Sequence, residues 1–112
     1  MKTKTKTKTK KTTNPAYVIV RGVNVGVHAG YLVQDEPNRI ILRDARRIWH
    51  WEGAGSLSGL AVYGPSKPAE CKLGAPVSTQ ELRGLDDQGD YEIIHCTPEG
   101  AAAIQGVPPW RV

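Results

Sequence analysis

From Ala16 to Trp51 the chain is a succession of short apolar, β-branched runs broken by turn residues, and this pattern constrains the fold more than any other feature. AYVIVR (16–21), GVHAGYLV (26–33), RIILR (39–43) and RRIWHW (46–51) each have the length and composition of a strand. DEPN (35–38) places Pro and Asn at the centre of a turn, and Asp44-Ala45 forms a short link between the last two runs. Connections this short join antiparallel neighbours, so four strands in a meander are expected.

The rest of the chain alternates between weaker strand signals and helix punctuation. SLSGLAVYG (56–64) carries Leu57, Leu60 and Ala61 at helical spacing, with Ser56 as N-cap and Gly64-Pro65 as the stop. PSKPAECKLGAP (65–76) holds three prolines and no periodicity, which predicts a surface loop. VSTQELR (77–83) and DYEIIHC (90–96) read as strands around a Gly- and Asp-rich turn. Thr97-Pro98 then starts a second short helix that ends near Gly106. VPPW (107–110) leaves it extended, and Trp110 is expected to fold back on the body.

A chain of 112 residues fits one domain, since domains commonly run to about 100–150 residues. The expectation is therefore a single α+β domain over residues 15–112, a small antiparallel β-sheet (meander) with two short helices. A Lys/Thr-rich tail, residues 1–14, precedes it. Nothing apolar in KTKTKTKTKK can be buried and its like charges repel, so the tail is expected to be disordered.

The formal net charge of +4 is a property of that tail: six lysines in residues 1–11 carry +6 and leave the body at −2. Within the body, residues 39–47 carry +3 and residues 81–92 carry −4. Such segregation suits a solvated surface, a charged ligand or pairing between neighbouring molecules. Lys2, Lys4, Lys6, Lys8, Lys10 and Lys11 are candidates for nonspecific phosphate contact. No apolar stretch reaches the ~18 residues of a membrane span or a signal sequence. Together with just two cysteines, Cys71 and Cys96, this leads to the expectation of a cytoplasmic protein with free thiols and no membrane partner.

The densest chemistry lies in RDARRIWHWEGAGSLSG (43–59). With side chains alternating along a strand, Arg47, Trp49 and Trp51 share one face, while Arg46, Ile48 and His50 share the other. Large aromatic area usually goes inward, so the Trp face is expected to pack; the alternative is an exposed stacking platform with Ile48 inside. Gly53, Gly55 and Gly59 open a helix after a strand, the setting of a phosphate-cradling loop, but their spacing matches neither the dinucleotide fingerprint nor a P-loop. What the segment offers is helix N–H groups near several arginines. The ligand-binding candidates are Arg43, Arg46, Arg47, Trp49, Trp51, Gly53, Gly55 and Ser56.

Catalytic patterns are absent from the sequence. GAGSLSG contains no G-x-S-x-G elbow. His95 and Cys96, adjacent on a strand, point to opposite faces and do not form a nucleophile–base pair with each other. Turn chemistry explains Asp86 and Asp87, and the scattered His and Cys residues lack the close pairs of a structural metal site. No catalytic residue, metal or cofactor is expected.

AGYLV after GVH (26–33), LRDARRIWHWEGAGSLSGLAVYG (42–64), YEIIHCTPEGAAAI (91–104) and the closing VPPW resemble a family of short uncharacterised proteins encoded by tailed phages and prophages. The resemblance covers residues 17–112, leaves the lysine tail outside, and implies a phage context with no catalytic residues to carry over. Taken together, these features predict a non-enzymatic, homo-oligomeric binding protein for an anionic ligand, nucleic acid before others. A counter-defence protein that sequesters a nucleotide signal is one alternative, and a virion or assembly protein acting through protein–protein contacts is another.

Overall fold

A computed structural model describes residues 15–23, 25–83 and 91–110. The strands are β1 (Tyr17–Gly22), β2 (Gly26–Glu36), β3 (Arg39–His50), β4 (Lys72–Leu73), β5 (Val77–Arg83) and β6 (Tyr91–His95). The helices are α1 (Leu57–Tyr63) and α2 (Pro98–Gln105). All pairings are antiparallel, with β3 beside β2, β2 beside β1 and β1 beside β6. Both β4 and β5 lie along the outer edge of β3, one against Ile48–His50 and the other against Arg39–Ala45. The α+β class and the antiparallel sheet with two short helices are as the sequence predicts.

The first part of the meander has three strands, not four. The two runs read as separate strands form one strand of 12 residues, β3. Asp44 does not link two strands; it sits inside one at φ 53°, where Asp44 and Ala45 together face Gly30 as a β-bulge. Asp tolerates this left-handed conformation better than most residues, so the strand bends there and continues. A second bulge at Val33 interrupts β2, between the pairs Leu32–Leu42 and Gln34–Ile41. The Pro-rich segment 65–76, expected as a loop, contains a 3₁₀ turn (Pro68–Glu70) and the short β4.

The alternating pattern of β1 sends apolar side chains to both faces of the sheet. Tyr17 and Ile19 join Ala29, Ile48, Leu57, Leu60, Ala61, Leu73, Ile104 and Val107 in a core under the two helices. Val18 and Val20 join Ile40, Leu42, Ala45 and Leu82 in a second cluster. Both helix starts behave as their cap residues dictate. Ser56 Oγ accepts from Gly59 N at 3.1 Å, and Thr97 Oγ1 accepts from Gly100 N at 2.9 Å.

The helices meet where α2 begins. Thr97 Oγ1 donates to Val62 O at 2.6 Å, and Thr97 N donates to Ala61 O at 3.1 Å, so carbonyls at the end of α1 are satisfied by the start of α2. Gly100 allows this approach because a Cβ at that position would run into the carbonyl oxygen of Ala61.

Candidate functional site

Three neighbouring arginines of β3 do three different jobs. Arg46 is 2% exposed and turns toward the helix-side core. Its Nε donates to Gly74 O at 2.7 Å, and its Nη1 donates to Ile104 O at 2.8 Å and Gln105 O at 3.4 Å. The guanidinium therefore caps the C-terminal carbonyls of α2, where the helix dipole favours a cation. Burial lowers its pKa, and the nearby Tyr17 opposes that shift. Nε and Nη1 are thus committed to backbone carbonyls, so Arg46 is no part of a surface phosphate site beside Arg43 and Arg47.

Arg43 and Arg47 are exposed. The Arg43 guanidinium lies 5.0 Å from the centroid of the Tyr31 ring, with Asp44 3.8 Å away. Arg47 donates to Val25 O at 3.1 Å. Its strand neighbour His28, 1% exposed, bonds Val25 O as well, through Nε2 at 2.7 Å. Burial, with Arg47 adding to it, holds His28 below the usual histidine pKa despite that hydrogen bond.

The sequence expectation that the Trp face packs is overturned at Trp49. Arg46 and Ile48 point inward, and Trp49 stands 53% exposed. Ile48 joins Leu73, Leu57 and Leu60 in the helix-side core, and Arg46 bonds carbonyls on the same side, so the inner face of this strand is filled without Trp49. Trp51 does not follow Trp49 outward. Because β3 ends at His50, period-two alternation no longer applies, and Trp51 turns half-buried against the helix-side core.

Trp49 is joined by a residue 61 positions away. Trp110 folds back as expected, its N–H donating to Leu73 O at 2.7 Å, and its ring lies 5.3 Å from that of Trp49 at 60°. Lys72 Nζ stands 5.3 Å from the Trp110 ring centroid. The two indoles line a groove of about 580 Å³ together with His50, Glu52, Glu70 and Lys72, a volume within the ~300–1,000 Å³ of small-molecule pockets. His50 Nε2 and Glu52 Oε2 are 2.7 Å apart at its wall. The sequence names Trp49 for this surface and misses Lys72, whose only signal is its place in a loop that becomes β4.

The Gly53–Ser56 turn is occupied with its own architecture. Gly53 adopts φ 88°, and a Cβ there would collide with Ser66. Its carbonyl accepts from Ser66 N at 3.4 Å, and Ser56 is committed to Gly59. Gly55 is exposed with open space around it. Among the described residues, no hydrogen bond or ion pair joins this turn to Arg43, Arg46 or Arg47, whose partners lie elsewhere.

The segregated charges of the body pair partly within the chain. Arg39 and Arg83 bond Glu81, and Arg21 Nη2 lies 2.6 Å from Glu92 Oε1. The six tail lysines, Lys2, Lys4, Lys6, Lys8, Lys10 and Lys11, and the turn with Asp86 and Asp87 lie outside the described residues. Cys71 and Cys96 are both free thiols, and burial pushes Cys96 up to about 11, which leaves little thiolate near neutral pH. Among the described residues no three His, Cys, Asp or Glu side chains gather to hold a metal ion, and no helix is long and apolar enough to cross a membrane.

No curated protein and no solved structure matches the chain. Residues 15–104 match the model of a family described as a domain of unknown function, DUF6948. The match spans the sheet and nearly all of α2 and omits the whole lysine tail. The chain belongs to this uncharacterised family.

Proposed function

We propose that the protein is a phage-encoded, non-enzymatic binding protein that holds single-stranded nucleic acid in the host cytoplasm. The observation that carries this reading is the solvent-facing pair of indoles, Trp49 and Trp110, at the end of β3. Exposed aromatic area of this size is costly to leave in water and suits the flat face of a base, and stacking is worth about 1–3 kcal/mol per base. Lys72 beside Trp110 and Arg47 two residues before Trp49 supply the cations for the flanking phosphates.

Glu52 and Glu70 in the same groove argue for a base in the groove rather than a phosphate, because two carboxylates repel the backbone. Of the residues singled out from sequence, this proposal keeps Arg47 and Trp49 as direct contacts and gives Arg46, Trp51, Gly53 and Ser56 structural work. The tail lysines add nonspecific affinity and steepen the salt dependence.

The test is anisotropy of a labelled oligo-dT titrated with the protein and with Trp49→Ala. The variant should bind more weakly by about fivefold or more at constant fold, the loss of about one stacked base. Unchanged affinity would sink the proposal. A mononucleotide that binds as tightly as the oligonucleotide would replace it with capture of a nucleotide signal.

A further inference from the structure

The second site stands apart from the Trp groove and begins with an accounting problem. Arg46 is buried, and among the described residues it has no carboxylate partner within ion-pair distance. Three of its hydrogen bonds go to carbonyl oxygens, while Nη2 is left with no partner at all. The hydroxyl of Tyr17, on the neighbouring β1, is also buried and unpartnered. Desolvation raises the Tyr17 pKa further, so that hydroxyl stays protonated and able to donate. Two idle donors, one on a full positive charge, are a costly combination in a protein interior.

Both residues line one cavity of about 330 Å³, whose other walls are Tyr31, Asp44, Pro76 and Gln105. Gln105 Nε2 donates to Tyr31 Oη at 3.1 Å, a surface hydrogen bond that opens at little cost when a group enters. The ring of Tyr31 meets that of Tyr17 edge-on, with centroids 5.1 Å apart, so part of the lining is aromatic. The chemistry asks for an acceptor carrying one negative charge on a compact, flat body.

We infer that this cavity binds a small aromatic monocarboxylate, its oxygens taking Arg46 Nη2 and the Tyr17 hydroxyl. The charge count selects the class. Asp44 in the lining is offset by Arg43 at 3.8 Å, so the unbalanced charge is the single buried guanidinium of Arg46, which matches one carboxylate and is too little for a phosphate dianion. The Tyr17–Tyr31 pair and Pro76 supply apolar area for a ring.

Calorimetric titration of the full-length protein with benzoate, and separately with inorganic phosphate, tests this. Benzoate should bind saturably and phosphate should not. Tyr17→Phe removes only an unpartnered hydroxyl, so the free protein should be at least as stable as before, while benzoate affinity drops about tenfold for the lost hydrogen bond. Asp44→Asn keeps a residue that tolerates the bulge conformation and should raise benzoate affinity. Trp49→Ala should leave benzoate binding intact, which separates this site from the nucleic-acid proposal. Absence of saturable benzoate binding, phosphate binding as tightly as benzoate, or a Tyr17→Phe protein that binds benzoate unchanged would each overturn the inference.

Discussion

Replacing Arg46 with alanine should cost more stability than the same change at either neighbouring arginine, although all three look alike in the sequence. Two short charge-assisted hydrogen bonds, to Gly74 O at 2.7 Å and Ile104 O at 2.8 Å, disappear with the guanidinium. Bonds to a charged group are worth about 1.5–3 kcal/mol each. The carbonyls left behind include the last turn of α2, which then lacks its cationic cap, a further ~0.3–1 kcal/mol. Against these stands the relief of no longer burying a charge without a carboxylate beside it, which offsets part of the loss.

The net expectation is about 3–5 kcal/mol, a large share of the ~5–15 kcal/mol that holds a domain together. Arg43→Ala loses a single exposed contact with Tyr31, worth about 0.5–1 kcal/mol. Arg47→Ala loses one exposed hydrogen bond to Val25, so it should also stay within about 1 kcal/mol. Urea denaturation of the three variants, compared by midpoint at constant m-value, is the assay. If Arg46→Ala costs less than about 1 kcal/mol, or no more than Arg43→Ala, the reading of Arg46 as a buried helix cap is refuted.

Two further outcomes follow from the packing. Gly100→Ala drives a methyl group into the Ala61 carbonyl and separates α1 from α2; thermal denaturation should show a loss of about 3 kcal/mol or more, and a near-neutral effect would mean that the helices do not meet as described. His28 has a folded pKa below its unfolded value, so the unfolded chain binds the extra proton first as pH falls through about 6.5. Its contribution is therefore complete above that pH and lost below it: the melting temperature should fall on acidification, and the fall should be smaller in His28→Gln. An equal fall in the variant would assign the effect to other groups.

What could be read from the sequence followed local chemistry. The strand runs, the Ser56 and Thr97-Pro98 helix starts and the return of Trp110 all rest on rules that act over a few residues, and each appears in the fold. Merging two runs into β3 escaped the sequence because a turn-like Asp44 also fits a bulge, and the choice depends on the Gly30 strand opposite. The same limit applies to the arginines. Period two correctly sorted Arg46 from Arg47, but which face is interior was decided by Leu73 and α2, both distant in the chain. The aromatic preference for the core pointed the wrong way for Trp49, where Ile48 and Arg46 take the interior side of the strand, and the right way for Trp51. The Trp49–Trp110 groove and the Arg46–Tyr17 cavity are assembled from such distant segments, so no window of sequence contains either one.

The central claim rests on Trp49 and Trp110 meeting a base. Tryptophan fluorescence of the protein, titrated with unlabelled oligo-dT at two salt concentrations, tests it most directly. Saturable quenching that weakens as salt rises, and is largely lost in Trp49→Ala, is the result expected. Emission that stays unchanged at saturating oligonucleotide would contradict it and leave the exposed indole pair as a surface for another protein.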